Sequence, residues 1–349
     1  MTQTLLITGA AGYIGSHFVE TLLESKPDFL TDVRLILLDN LSSGHESSIQ
    51  TLSDLALSHG FAKPEFFEID LLDESALMDV FEKTRPTAVL HFAAKISVAE
   101  SVQSPDLYFQ NNVVGSKNLL HAMKTYECKR IVFSSTAAVY GKVEDVKIAN
   151  KPLTETTVLK PINPYGKTKL MMEEAIQSAH ADWGLRSVIF RYFNAAGASI
   201  SGRLGECHEP ETHLIPLMIR AAFSGNTLPV YGVNYDTRDG SCIRDYVHVS
   251  DLALAHLLGL KKILSEETTP SLYNLGTARG SSVLEVIDAV QVITGKTVRT
   301  DVKPNRAGDS AVLIADSTRA KLELGWEPKH SSLHSILKSV IQWESKARA

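Results

Sequence analysis

Six short runs rich in Val, Ile and Leu mark the first half of this chain, at residues 4–8, 34–39, 64–69, 87–92, 129–135 and 186–193. Runs of that length without strict polar alternation read as strands covered on both faces, and their alternation with helical stretches predicts a parallel sheet. Between the first two runs, Ile14, Phe18 and Leu22 recur at helical spacing. The expected fold class is therefore α/β, a doubly wound parallel sheet reaching to about residue 193, followed by a smaller mixed α/β lobe.

After Asn194 the texture changes. Residues 197–213 are rich in Gly, Glu and His, contain Pro210, and read as a long loop; a helix near Leu214–Ser224 follows. The expected division is a nucleotide-binding domain of residues 1–193, joined by about 236–270, and a mainly substrate-binding lobe of 194–349. That lobe is expected to face the sheet's carboxyl edge, where open α/β sheets bind ligands. The net charge is −5 with no block of Lys and Arg, which argues against nucleic acid or an anionic membrane as partner. No apolar run is long enough to span a bilayer. Met1 leads directly into a strand-like run, and the start is expected not to be a signal peptide. Cys128, Cys207 and Cys242 are too few and scattered for a disulfide framework, so a reducing, cytoplasmic setting is expected.

The first strand runs into Gly9-Ala10-Ala11-Gly12-Tyr13-Ile14-Gly15, a Gly-x-x-Gly-x-x-Gly turn of the Rossmann type. Such a turn opens a helix whose N-terminal amides receive a pyrophosphate, and a Cβ would block both the turn and the phosphate's approach. The second strand ends at Asp39, whose carboxylate suits the adenosine ribose hydroxyls and repels a 2′-phosphate, favouring NAD over NADP. Asp39 lies 30 residues beyond Gly9, against the usual spacing of roughly 20, and the excess is assigned to a surface insertion at 26–33. Asp70 follows the third strand, and His91-Phe92-Ala93-Ala94 closes the fourth with small residues that leave room for a flat cofactor.

The sharpest local signal is Asn163-Pro164-Tyr165-Gly166-Lys167-Thr168-Lys169. Asn163 and Pro164 suit the N-cap and first turn of a helix, which puts Tyr165 and Lys169 on one face. A phenol with a reference pKa of about 10 is a poor base at neutral pH unless nearby positive charge lowers it. Upstream, the fifth strand enters Ser134-Ser135-Thr136-Ala137-Ala138, and a hydroxyl there can hydrogen-bond an oxygen being deprotonated.

The glycine turn, the strand-end hydroxyl and Tyr-x-x-x-Lys together resemble the extended short-chain dehydrogenase/reductases. Further blocks extend the likeness over most of the chain: Asp39–Gly44, His91–Ala94, Arg191-Tyr192-Phe193-Asn194, Arg244-Asp245-Tyr246-Val247-His248-Val249 and Tyr273-Asn274-Leu275-Gly276 resemble UDP-glucose 4-epimerases. This resemblance implies reversible 4-epimerisation of UDP-glucose and UDP-galactose through a transient 4-keto sugar, with NAD bound throughout, in a homodimer. The segment 104–126 and the helix from Tyr165 carry apolar residues on more than one face, including Val113, Leu119, Met171 and Ile176, and the resemblance implies that these helices pair across a two-fold axis. Thr136, Tyr165 and Lys169 would be catalytic. The cofactor would lie against Gly9, Gly12, Tyr13, Ile14, Gly15, Asp39, Asn40, Asp70, Leu71, Phe92, Ala93, Ala94, Asn111, Ser134, Tyr165, Lys169 and Tyr192. The nucleotide sugar would meet Thr136, Tyr165, Asn194, His213, Leu214, Tyr231, Arg244, Arg306, Asp309 and Leu313, the arginines suiting a pyrophosphate. Leu313 ends a segment whose last position, in the family, controls room beside the sugar.

Two departures stand out. The family's strand-end hydroxyl is often Ser, and here Thr136 keeps the hydroxyl. A family Lys two places after the small residues of the fourth strand is replaced by Ile96, with Lys95 one place early and left unassigned. Related 4,6-dehydratases carry acidic residues directly after the hydroxyl; Ala137 and Ala138 cannot shuttle a proton. A net dehydrogenase or reductase would use the same residues but release its cofactor each turnover, and a non-catalytic regulator would have lost them. His208-Glu209-Pro210-Glu211-Thr212-His213 has its His pair five apart with Pro210 between them, unlike a helical zinc motif, so no metal is expected. Cys128 and Cys242 read as small core side chains.

Overall fold

The computed structural model describes residues 2–141, 151–265, 270–305 and 310–347. The chain divides into two compact units. The first comprises Met1–Val139, Pro161–Arg191 and Ala253–Tyr273; the second comprises Tyr140–Lys160, Tyr192–Leu252 and Asn274–Ala349.

The first unit is organised on a seven-stranded sheet: Gln3–Thr8, Val33–Asp39, Glu65–Glu68, Ala88–His91, Arg130–Thr136, Arg186–Tyr192 and Ser271–Leu275. Numbered along the chain, these strands lie side by side in the order seventh, sixth, fifth, fourth, first, second, third. The first strand pairs in parallel with the second and fourth, the second with the third, and the fourth with the fifth. All six runs read from the sequence are strands here, and the doubly wound arrangement is the expected one. The seventh was not recognised as a sheet strand, because Ser271-Leu272-Tyr273-Asn274-Leu275 mixes polar and apolar residues.

Helices cover the sheet because their apolar residues recur on one stripe. Tyr13–Ser25 buries Phe18, Val19, Leu22 and Leu23 before Lys26 ends it in a left-handed conformation. In Glu74–Thr84, Asp73 caps the first turn by accepting from the Ala76 amide at 3.0 Å. Leu6, Ile36, Val89 and Phe133 from strands meet Phe81, Leu119, Met172 and Ile176 from helices in one core. Each such side chain contributes roughly 1.5–3 kcal/mol when fully buried.

The segment expected to be helical at 104–126 is broken into Pro105–Tyr108, a π-helical turn at Phe109–Val114, and Gly115–Thr125. Within it Val113 and Leu119, together with Ile176, are fully buried in this unit's own core.

The second unit has its own core between Leu214–Ser224, Val283–Thr294 and Leu333–Ala347, in which Ile219, Val290 and Ile336 are fully or almost fully buried. Its strands are short. Ile243–Arg244 lies between Ser281–Ser282 and Val312–Leu313, and Asn194–Ala196 pairs with Tyr246–His248. The buried Asp245 carboxylate draws three segments together, accepting from the Thr277 amide and hydroxyl (2.8 and 2.6 Å) and from the Ala278 and Ala315 amides (both 3.1 Å). Among the described residues no helix is long and apolar enough to cross a membrane.

Candidate active site

Three side chains of the first unit meet at the end of the fifth strand. Asn163 caps the helix Pro164–Trp183 by accepting from the Gly166 amide at 2.8 Å, with Pro164 in the first turn. Gly166 lets that turn approach closely: a Cβ there would lie 2.5 Å from the Ala138 carbonyl oxygen. Tyr165, one residue earlier, stands beside the Thr136 hydroxyl, close enough for that hydroxyl to favour its phenolate. The Thr136 oxygen accepts from the Ala138 amide at 3.1 Å, which fixes its direction. The Tyr165 ring meets Tyr108 edge-on at 6.4 Å.

One helical turn along, Lys169 is buried; its ammonium donates to the Ser134 carbonyl at 2.8 Å and stands 5.0 Å over the Phe133 ring. One turn further, the buried Glu173 accepts from the Ser135 hydroxyl and from Arg191, whose Nε lies 3.0 Å and Nη2 2.5 Å away. The sequence reading missed Glu173 and Arg191. Their signal was the spacing itself, since Tyr165, Lys169 and Glu173 follow one another every four residues.

Burial pushes the Tyr165 phenol up to about 12, opposed by the Thr136 hydroxyl. Burial brings the Lys169 ammonium down to about 7, opposed by the charge of Glu173. Close by, His91 is bound at both ring nitrogens, to the Thr8 hydroxyl at 2.7 Å and the Ser116 hydroxyl at 2.8 Å. Burial, with a smaller push from Lys169, lowers it to about 3, so it is neutral.

The glycine turn sits where the strand order reverses, between the first and fourth strands. Gly9 has φ +71°, and a Cβ on it would lie 2.5 Å from the Ala93 amide nitrogen; one on Gly15 would lie 2.1 Å from the Gly9 carbonyl oxygen. Chain packing therefore accounts for both. It does not account for Gly12, where a Cβ would meet nothing closer than 3.4 Å. Gly12 caps the helix from Tyr13 without a side-chain cap, and the first turn carries no acidic residue. An anion laid on those amides fits this donor set, and Gly12 keeps its approach open.

Asp39 is buried at the end of the second strand, accepting from the Ala11 and Leu41 amides, both at 2.9 Å. Burial raises its carboxyl, and those amides pull it back down. Asn40 donates to the Asp70 carboxylate at 2.8 Å, beside the buried Leu71. The Phe92 ring packs between Phe18 and His256, at 5.6 and 4.7 Å, so its ring is engaged by the protein's own core. Asn111 donates to Asn112 at 2.9 Å within the π-helical turn. Asn112, which the sequence reading passed over, holds the Lys95 backbone by both its amide and its carbonyl, at 2.8 and 3.0 Å. Ser134 is buried and Ala93, Ala94 and Tyr192 are partly exposed.

In the second unit, the residues assigned to the nucleotide sugar lie on several different elements. Arg244 and Leu313 are register partners on neighbouring parallel strands, and the Asn194 amide donates to the Asp245 carbonyl at 2.9 Å. These three are gathered together. The Arg244 guanidinium donates to the Ile243 and Ser310 carbonyls at 2.9 and 2.8 Å. Tyr231 ends a different strand pair, opposite Lys303. His213 caps the helix that Leu214 begins, and its Nδ1 is engaged by Glu206. Arg306 and Asp309 lie outside the described residues.

The family model described as GDP-mannose 4,6 dehydratase matches residues 6–339. A UDP-glucose 4-epimerase from Halalkalibacterium halodurans is 43% identical over 345 residues, covering 99% of this chain and 96% of that one. The crystal structure of UDP-glucose 4-epimerase from Brucella ovis in complex with NAD superimposes with a TM-score of 0.87 at 40% identity, covering 97% of each chain. That of the Bifidobacterium longum UDP-glucose 4-epimerase in complex with NAD+ and UDP gives 0.89 at 34% identity, covering 99% of each. With its strand-end Thr136 beside Tyr165 and Lys169 one turn along the same helix, the chain belongs to the UDP-glucose 4-epimerase family of the extended short-chain dehydrogenase/reductases.

Proposed function

We propose that this protein interconverts UDP-glucose and UDP-galactose by inverting the sugar's 4-hydroxyl through a transient 4-keto sugar, holding NAD throughout. The observation that carries the reading is the Thr136 hydroxyl at the strand end beside Tyr165, with Lys169 one turn along the helix, followed by Ala137 and Ala138 instead of acidic residues. Such a site can remove and restore a proton, and offers no acid for an elimination between the two steps.

Gly12, the amides of Tyr13, Ile14 and Gly15, and Asp39 would hold the cofactor's pyrophosphate and ribose. When bound, NAD supplies a hydride acceptor that gives back what it takes, and a positive ring charge that favours the Tyr165 phenolate. Tyr165 accepts the 4-hydroxyl proton at its phenolic oxygen and later returns it. The Thr136 hydroxyl donates to the sugar oxygen and orients it. Lys169, held by the Ser134 carbonyl, would reach the nicotinamide ribose and, when charged, favour the Tyr165 phenolate. Arg244, with Arg306, binds the pyrophosphate, and Asn194, Tyr231, Asp309, His213 and Leu214 hold the rest of the nucleotide sugar. Strong grip on the nucleotide leaves the sugar free to turn over and present its other face.

We further infer a cytoplasmic homodimer. Its support is the row of partly exposed apolar side chains Val98, Val102, Leu107, Phe109 and Met171. Val113, Leu119 and Ile176, expected from the sequence to face a partner, are consumed by the core. The three cysteines are free thiols, in keeping with a reducing compartment.

Tyr165→Phe is expected to lower kcat at least ~10²-fold while the purified protein keeps its NAD; near-normal turnover would remove Tyr165 from the mechanism. For assembly, light scattering at micromolar concentration should give twice the chain mass, and a strict monomer would contradict the dimer.

Lys169 also makes a pH-dependent contribution with a definite sign. Its folded-state pKa is lowered from the ordinary 10.5 to about 7. Between those values the unfolded chain binds the extra proton, so this group's contribution to stability rises with pH. Urea unfolding of the cofactor-free protein from pH 7 to 9 should show wild type gaining on Lys169→Met as pH rises, and parallel curves would deny the lowered pKa.

Leu313, beside Arg244, is expected to restrict room at the sugar. An apolar wall discriminates by only about 1–3 kcal/mol, so UDP-N-acetylglucosamine should turn over weakly rather than not at all. Leu313→Ala is expected to raise kcat/KM for that sugar more than for UDP-glucose; an unchanged ratio would show that Leu313 does not line the pocket.

A further inference from the structure

Outside the reacting residues, the loop before the helix Leu214–Ser224 gathers Glu206, His208, Glu211 and His213, all in the second unit. Each offers one ligand atom, and these atoms all lie within 4.8 Å of one another. The sequence argument against a metal rested on the His spacing of a helix, but these residues occupy a loop, where no such spacing applies.

His208 Nδ1 stands 3.1 Å from Glu206 Oε1 and 3.8 Å from Glu211 Oε1, and His213 Nδ1 meets the same Glu206 oxygen. The Glu206 and Glu211 side chains are only 3% and 2% exposed. Two carboxylates this close and this buried are costly unless positive charge is supplied. Neutral imidazoles supply none, and Arg220, 3.8 Å from Glu211 Oε2, is shared with Glu344, so the two carboxylates call for further protons or a cation.

Protons account for part of it. They would make His208 and His213 cations against Glu206. They leave Glu211 half satisfied. Its Oε1 accepts from the Thr212 and His213 amides at 2.7 and 2.8 Å, while its Oε2 is buried with no hydrogen-bond partner. Arg220 Nη2 stands 3.8 Å from that oxygen, too far to donate, and is bound to Glu344 at 2.9 Å. A divalent cation would satisfy both carboxylates and both imidazoles at once. Two imidazoles and two carboxylates suit four-coordinate zinc better than calcium or magnesium, which prefer all-oxygen shells.

We propose that Glu206, His208, Glu211 and His213 form a structural zinc-class site that clamps this loop to the start of the helix Leu214–Ser224. No fourth position is left for water or substrate, so the ion's role is to hold, not to react. The site shares His213 with the residues proposed for the nucleotide sugar, and its zinc binding is tested without turnover.

The full-length protein, freed of metal with a chelator and dialysed, is titrated with Zn2+ by calorimetry beside His208→Gln and Glu211→Gln. One zinc per chain is expected, with each variant weaker by at least about tenfold, a loss that even partners outside the coordination shell cause. Co2+ added to the wild-type protein should give the visible absorption of a four-coordinate ion, a readout that does not depend on either variant folding. Absence of zinc uptake, or uptake that both variants leave unchanged, would overturn the site and leave a cluster held by protons alone. So would a six-coordinate cobalt spectrum.

Discussion

The close approach of two strand ends at Gly9 is the constraint on which the first unit depends. The first and fourth strands part company where the sheet order reverses, and the backbone of Ala93 comes within contact of the space a Gly9 side chain would fill. Only glycine, at φ +71°, closes that corner. From it follows the position of the next helix, held by the equally tight Gly15, and of Ala11, whose amide reaches Asp39 across the neighbouring strand end. A diphosphate-binding surface is thus a by-product of how strands, turn and helix pack, with Gly12 left open where packing alone demands nothing.

Burial then sets the chemistry. Tyr165 and Lys169 are pushed in opposite directions by the same loss of water, each toward its neutral form. The chain by itself therefore holds a protonated phenol at neutral pH, and the positive charge of a bound cofactor would favour the proton-accepting state. Beneath them, Glu173 and Arg191 form a buried ion pair that also takes the Ser135 hydroxyl. A pair like this adds little net stability, but removing one partner costs about 3–5 kcal/mol, so it fixes the helix and the strand in one register. The proposed base and Lys169 thus lie two helical turns and one from the glutamate of a buried ion pair to which no chemical part is assigned.

Much of this was legible in the residues. The six strands could be read because strands covered on both faces leave uninterrupted apolar runs, and Leu214–Ser224 because its apolar residues recur on one stripe. The stretch 104–126 misled because a π-helical turn at Phe109–Val114 inserts a different period, which rotates Val113 and Leu119 into the core. Glu173 passed unnoticed because a carboxylate on a helix ordinarily points to solvent; here Arg191 on the following strand and the Ser135 hydroxyl pair with it inside the core. His213 was assigned by likeness to the sugar and weighed against zinc only on helical spacing. Its engagement with Glu206 depends on how a loop folds back, which no periodicity encodes.

The central claim is a reaction that begins and ends with the same oxidation state of cofactor and of sugar. It is tested most directly by incubating the purified protein with UDP-galactose, adding no nicotinamide cofactor, and analysing the nucleotide sugars formed. The account predicts UDP-glucose, accumulating to an equilibrium mixture over many turnovers per chain. No conversion, or conversion only in proportion to cofactor added, would contradict it.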